Sequence, residues 1–253
     1  MPQRSLHISL AALVAAVCLS GCAHDPKIGA YQRDLRNQGF VGYYQPVGDP
    51  RNVNDWNKYG PGTVLRNGRQ QDYYYRAKTL LGDAGVAEAM NPANASPISL
   101  FSGRRVSGYD FDGKGGWTLD AVNQISGALN LKSATSIDIQ YGKAWKANPK
   151  GEGELHEAVR TAAQDFDATS RRELRRGRFA IVQNAVWTDS VRYYFKQEKS
   201  GGASSTYKLT GQEVAALQAK GYRVVDGGVE VSEPRFIAFT PLPAVAGDLP
   251  ANR

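Results

Sequence analysis

The sequence predicts an α+β fold, in which a mainly antiparallel sheet built from hairpins packs with its helices on one face. Stretches that alternate apolar and polar residues come in pairs joined by short turn segments, which is typical of antiparallel neighbours. Stretches with apolar residues at helical spacing do not alternate regularly with single strands, so no series of βαβ units is predicted. The 253-residue chain is 42% hydrophobic and 22% charged, which suits one globular domain, placed at residues 31–240.

The first half of the chain is predicted to hold short elements separated by turns. Asn67 and Gly68 tolerate the positive φ angles of a tight turn, so the flanking residues predict a hairpin. Residues 46–62 concentrate Pro, Gly and Asn, which predicts a long loop or a string of turns. The other predictions are a short helix at 31–38, a strand at 40–44, hairpin strands at 63–65 and 72–81, a loop with at most one helical turn at 83–97 and a helix at 117–131.

The second half has clearer signals. Apolar residues of the stretch 155–166 lie on one helical face, and this helix is predicted to run to Arg176 before Gly177 ends it. Thr210 and Glu213 have capping-box spacing, which predicts a helix that ends at Gly221. Strands are predicted at 136–141, as a hairpin at 179–187 and 191–196, and as a last pair at 222–225 and 229–239, followed by a mobile Pro- and Ala-rich tail at 241–253.

The stretch 108–115 partly matches two ligand-binding motifs. It has the spacing of a phosphate-binding loop, but Gly115 stands where Ser or Thr would hold magnesium. Asp110 and Asp112 fit the first ligands of a calcium loop, yet the twelfth position is Ala121 instead of Glu. A surface turn is the favoured interpretation, with a cation site as the alternative.

Three further stretches lack a residue that catalysis requires. His156 is followed by Arg160 where a zinc protease has its second His. The stretch 205–208 has Ser-x-x-Lys spacing, but the helix start is marked downstream and no Ser-Asp-Asn partner exists. Asp165 and Asp167 would face different sides of a helix. We therefore predict no catalytic residue, no metal ligand and no cofactor.

Five arginines crowd into eight residues at the end of the predicted long helix. Guanidinium groups donate paired hydrogen bonds to phosphate or carboxylate, so the segment is a candidate anion-binding face. A helix C-terminus favours cations in any case, so a solvated terminal turn is the competing interpretation. The candidate residues are Arg171, Arg172, Arg175, Arg176 and Arg178.

The N-terminus has the pattern of an exported precursor. Arg4 precedes an apolar run that begins near Ile8, is too short to span a membrane and ends in small residues. The stretch 19–22, Leu-Ser-Gly-Cys, resembles the lipobox of bacterial lipoprotein precursors. The resemblance implies a signal peptide at 1–21 that is cut between Gly21 and Cys22, and a diacylglycerol thioether on Cys22.

The lipobox resemblance also implies a cellular location. Residues 22–30 would be a lipidated tether, and Ala23 after the Cys implies the periplasmic face of the outer membrane. The mature protein would keep no thiol beyond Cys22 and only two histidines, which excludes disulfides, Cys nucleophiles and sites built from several His. Its net charge would be about +6.

These observations leave three hypotheses for the function. The leading one is a non-enzymatic module that binds another envelope component: anionic lipid, lipopolysaccharide, peptidoglycan or a protein, with no nucleic acid expected. An envelope hydrolase with an unrecognised site is the second. The order of the strand at 137–141, the helices, the basic segment and the stretch 179–196 resembles the pore-forming domain of gasdermins, which implies membrane remodelling as the third.

Overall fold

The computed structural model describes residues 35–66, 73–98, 105–110, 125, 136–148, 151–198 and 204–244. Its strands are β1 (Val41–Val47), β2 (Val64–Arg66), β3 (Tyr73–Tyr75), β4 (Ala95–Pro97), β5 (Arg105–Asp110), β6 (Ser136–Tyr141), β7 (Ala144–Ala147), β8 (Phe179–Thr188), β9 (Val191–Glu198), β10 (Ser204–Thr206), β11 (Arg223–Val225), β12 (Gly228–Val231) and β13 (Arg235–Pro243). Its α-helices are α1 (Val53–Tyr59), α2 (Ala77–Ala89), α3 (Glu152–Ala162), α4 (Ala168–Arg175) and α5 (Gly211–Ala219).

All strand pairs of the described chain are antiparallel, so the predicted α+β class is confirmed. The strands are divided between two sheets. Sheet 1 has the order β1-β13-β8-β2-β3, with β7 pairing both β8 and β4. Sheet 2 has the order β11-β12-β9-β6-β5, with β10 on β9.

The largest core cluster lies between the two sheets. Sheet 2 contributes the inward residues of β6 and β9, such as Ile139 and Phe195, while Val186 and Ile237 come from sheet 1. A second cluster packs α1 and α2 on sheet 1 around Trp56, which is 2% exposed. A third cluster joins α3 and α4 to the start of β8. These apolar contacts supply the main driving force for the fold.

Two predictions in the first half are wrong. The loop predicted at 46–62 contains α1, because the Asn52 side chain caps it and buried Trp56 anchors it. The strand predicted to reach residue 81 ends at Tyr75, and α2 follows, so residues 83–89 of the predicted loop at 83–97 are helical. Gly82 adopts φ +69° inside α2, so the helix is kinked at this residue.

The predicted hairpin at 179–196 is also wrong. β8 belongs to sheet 1 and β9 to sheet 2, and they do not pair with each other. A two-residue hairpin turn needs positive φ angles, and neither Asp189 nor Ser190 has one. The chain instead turns a corner there and passes from one sheet to the other.

Other predictions are confirmed. β2 and β3 form the predicted hairpin, and β11 and β12 form another, with positive φ at Asp226 and Gly227 in its turn. The single strand predicted at 229–239 is wrong, because the chain there is divided into β12 in sheet 2 and β13 in sheet 1. α5 begins with the predicted capping box between Thr210 and Glu213. Of the helix predicted at 117–131 only Ile125 lies within the described residues, where it is helical and buried.

The last strand extends past the predicted start of the tail at residue 241. Leu242 pairs with Ile181, and the Ala244 amide donates to the Phe179 carbonyl oxygen at 3.0 Å. Both Leu242 and Ala244 are buried, so apolar contacts hold this end of the chain. Residues 245–253 lie outside the described part.

Candidate functional site

The helix that carries the arginine cluster, α4, is separate from α3. A 3₁₀ turn (Ala163–Asp165) follows α3, and Phe166 is extended, so the single helix predicted through to Arg176 is wrong. The break lies where Asp167 takes over as N-cap, accepting from the Ser170 amide at 2.9 Å and from the Ser170 hydroxyl at 2.8 Å. Buried Leu174 then turns one side of α4 into the core and the other side towards solvent.

A Schellman motif ends α4 at the predicted glycine. Gly177 has φ +63°, and its amide donates to the Leu174 carbonyl oxygen at 2.9 Å. The Arg178 amide donates to the Glu173 carbonyl oxygen at 3.1 Å. These bonds are made by the main chain, so the turn does not require a particular side chain at residue 173.

Glu173 pairs with two of the five arginines. Its side chain is only 12% exposed; Oε1 lies 3.3 Å from an Arg176 guanidinium nitrogen and Oε2 lies 2.9 Å from one of Arg178. Both arginines remain about half exposed, at 54% and 50%. One carboxylate therefore occupies donors of two guanidinium groups.

A third arginine is held by the main chain. The Arg171 guanidinium donates to the carbonyl oxygen of Gln164 at 3.0 Å, across the break between α3 and α4. Arg171 is half-buried, so its role in the described structure is to join two helices.

The remaining pair, Arg172 and Arg175, is exposed and has no ion pair with any carboxylate of the described residues. They are three residues apart and therefore lie on one face of α4. Of the five predicted anion-binding residues, Arg172 and Arg175 are therefore the two whose guanidinium groups have no hydrogen bond or ion pair within the described part of the chain. Sequence analysis missed the role of Glu173, although its spacing of three residues from Arg176 is a signal for such a pair.

A second charged array lies on the outer side of sheet 2. Glu230 is 4% exposed and is bound by Arg192, by Ser232 at 3.0 Å and by Arg223 at 3.3 Å. Burial alone would raise the pKa of the Glu230 carboxyl, but the hydrogen bonds from Arg192 and Ser232 outweigh it and lower that pKa below its ordinary value. The negative charge of Glu230 is thus compensated by two arginines of the same sheet.

Lys196 and Asp138 form a similar pair on the neighbouring strands. Lys196 Nζ lies 3.4 Å from Asp138 Oδ2 and donates to the Thr206 hydroxyl at 2.9 Å. Both residues are buried, so the pair is a satisfied polar element of the sheet.

The partial motifs take up ordinary structural positions. His156 is half-buried on α3, where Arg160 pairs with Glu157. Ser205 lies in β10 and Lys208 precedes α5, so the Ser does not begin a helix. Asp167 caps α4 and shares no helix with Asp165. Among the described residues, no three His, Cys, Asp or Glu side chains are grouped to hold a metal ion.

Two sets of predicted residues lie outside this description. Gly21 and Cys22 are not among the described residues, and of the stretch 108–115 only the end of β5, including Asp110, belongs to the described backbone. Within the described ranges, no helix has the length and apolar character needed to cross a membrane.

Comparisons with known proteins do not assign this chain to a family. No model of a known protein family matches the sequence, and no curated protein matches it. A bacterial gasdermin from Bradyrhizobium tropiciagri is similar in structure, with a TM-score of 0.36 and 12% sequence identity. The similarity covers 58% of this chain and 63% of the gasdermin chain, less than two thirds of its length. A TM-score this low does not establish a shared fold and supports no function.

Proposed function

We propose that this chain is a lipid-anchored envelope protein whose α+β domain binds an anionic, phosphate-bearing surface through Arg172 and Arg175. The observation that carries the proposal is that these two guanidinium groups are exposed on one face of α4, with no ion pair to any described carboxylate. The lipobox at 19–22 supports the membrane address.

The chemistry of the pair favours phosphate. A guanidinium group presents its donors in a planar fork that matches two oxygens of one phosphate. Two such groups lie together on one exposed face of α4, which suits contact with a surface that carries many phosphates. A membrane of anionic lipid and the phosphates of lipopolysaccharide both provide such a surface.

The test is binding of the soluble domain to vesicles that contain anionic lipid. Arg172→Gln with Arg175→Gln removes two charges and preserves the helix, because Gln is a comparable helix former. We expect affinity for these vesicles to fall about ten-fold or more, because each arginine near an anionic membrane surface contributes about 1 kcal/mol to binding. Binding by the wild type should also weaken as salt rises from about 50 to 300 mM.

A matched control removes the same charge elsewhere. Lys208 and Lys220 are exposed beside α5, so Lys208→Gln with Lys220→Gln changes the net charge equally and should leave affinity within about two-fold. Equal binding by the two double variants, or binding that is flat with salt, contradicts the proposal. Release of a dye trapped in the vesicles would favour the pore-forming alternative, because a binding module leaves the dye inside.

A further inference from the structure

We propose that Glu173 determines how many arginines contact the anionic surface. Its carboxylate pairs with Arg176 and Arg178 in the place that a phosphate group would otherwise take. This inference rests on the proposed function and names a regulator of the same site. Glu173 is thus a specificity-determining residue: with its carboxylate in place, the site consists of Arg172 and Arg175, and without it the site has four guanidinium groups.

The geometry of Glu173 resembles that of a bound anion. Its two oxygens each meet one guanidinium group, at 3.3 Å for Arg176 and 2.9 Å for Arg178. Carboxylate and phosphate bind the same donors of arginine, so Glu173 competes with an external phosphate for the one guanidinium nitrogen of each arginine that it contacts. The carboxylate is 12% exposed while both arginines are about half exposed, so the cations are accessible and their internal partner is shielded.

The end of α4 does not depend on the Glu173 carboxylate. The main chain of residue 173 accepts the Arg178 amide, and Gly177 supplies the positive φ that the Schellman motif requires. Glu173→Gln therefore removes the charge that pairs with the arginines and leaves the turn intact. A role limited to capping would leave vesicle binding unchanged by this substitution.

The experiment is a cycle of variants on vesicles of anionic lipid, with vesicles of neutral lipid as the reference. Glu173→Gln should raise affinity about ten-fold and steepen its salt dependence, because two more cations contact the surface. Arg176→Gln with Arg178→Gln should lower affinity strongly in the Glu173→Gln background and by much less in the wild-type background. That non-additivity is the signature of competition for the same donors.

Additive effects overturn the inference. If Arg176→Gln with Arg178→Gln weakens binding equally in both backgrounds, Glu173 acts only through net charge. Should Glu173→Gln fail to fold, as judged by circular dichroism, the comparison within the wild-type background decides. The inference then requires a smaller loss for Arg176→Gln with Arg178→Gln than for Arg172→Gln with Arg175→Gln, and equal losses contradict it. Absence of any binding by the wild type instead defeats the proposed function itself.

The same cycle distinguishes a phosphate-bearing surface from free phosphate. Vesicles with anionic phospholipid and vesicles with lipopolysaccharide are compared with inorganic phosphate in solution. A surface ligand gives the non-additive pattern on vesicles. Inorganic phosphate at millimolar concentration should not compete, because one free anion does not bridge several arginines. Competition by free phosphate at that concentration would contradict a surface as the partner.

Discussion

At the scale of single residues, the position of a charge decides whether it stabilises the fold or stays available. Arg192 and Arg172 are both arginines on regular elements, but only Arg192 faces a buried carboxylate, that of Glu230. Hydrogen bonds to charged groups are worth roughly 1.5–3 kcal/mol. Exposed charges such as Arg172 contribute about 0–1 kcal/mol, which leaves them free to serve binding.

Glu230→Gln should therefore lower the free energy of unfolding at pH 7 by about 1–3 kcal/mol. The folded state lowers the pKa of the Glu230 carboxyl from 4.5, so its contribution is complete above that pH and is lost as the pH falls through the lower, folded value. Urea unfolding at pH 7 and at pH 3 measures this, and the difference between wild type and variant should shrink at pH 3. Glu233→Gln is the control, because Glu233 is exposed beside Arg235 and its loss should cost under about 0.5 kcal/mol.

At the scale of elements, paired corners join the two sheets. β6 continues into β7 through Gly142 and Lys143, and β8 continues into β9 through Asp189 and Ser190. The Gly142 amide donates to the Ser190 carbonyl oxygen at 3.0 Å, and the Asp189 amide donates to that of Lys143 at 3.1 Å. The Thr188 hydroxyl also reaches the Lys143 carbonyl oxygen at 3.0 Å. Two long bent strands therefore stay paired through the turn.

Gly142→Ala should destabilise this pair of corners. A Cβ at Gly142 would overlap the side-chain oxygens of Asp189 and Ser190, so either these side chains or one of the corners must move. We expect a loss of about 1–3 kcal/mol in the free energy of unfolding, measured with urea. Gly153→Ala in α3 is the control: its Cβ meets nothing within 4 Å, and the change should add about 0.5–1 kcal/mol. Equal stabilities for both variants would show that the corners adapt freely.

At the scale of the whole molecule, the proposed anchor determines where the arginine face acts. Cys22→Ser should abolish incorporation of labelled palmitate and release the protein from membrane fractions, because an oxygen does not replace the thioether. Changing Cys18 to Ser is the control, since Cys18 precedes the predicted cleavage site and should leave labelling intact. Labelling that persists in Cys22→Ser would disprove the lipobox interpretation and with it the proposed address.

The sequence by itself determined the α+β class and the elements with strong local signals. The capping box at Thr210 and the alternation of β6 each depend on residues that are neighbours in the chain. The five arginines could be located in the same way. The end of their helix at Gly177 was also predicted correctly, because a glycine that can adopt positive φ often marks the end of a helix.

Only the tertiary structure decided which strands are partners and which arginines are free. Val191 pairs with Tyr141 and Val231 instead of with β8, because packing of distant apolar faces places β9 in the second sheet. Burial of Leu174 fixes the rotation of α4, and the Schellman turn brings Arg178 back to Glu173. These outcomes depend on contacts between distant residues and on the orientation of side chains, which local patterns do not encode.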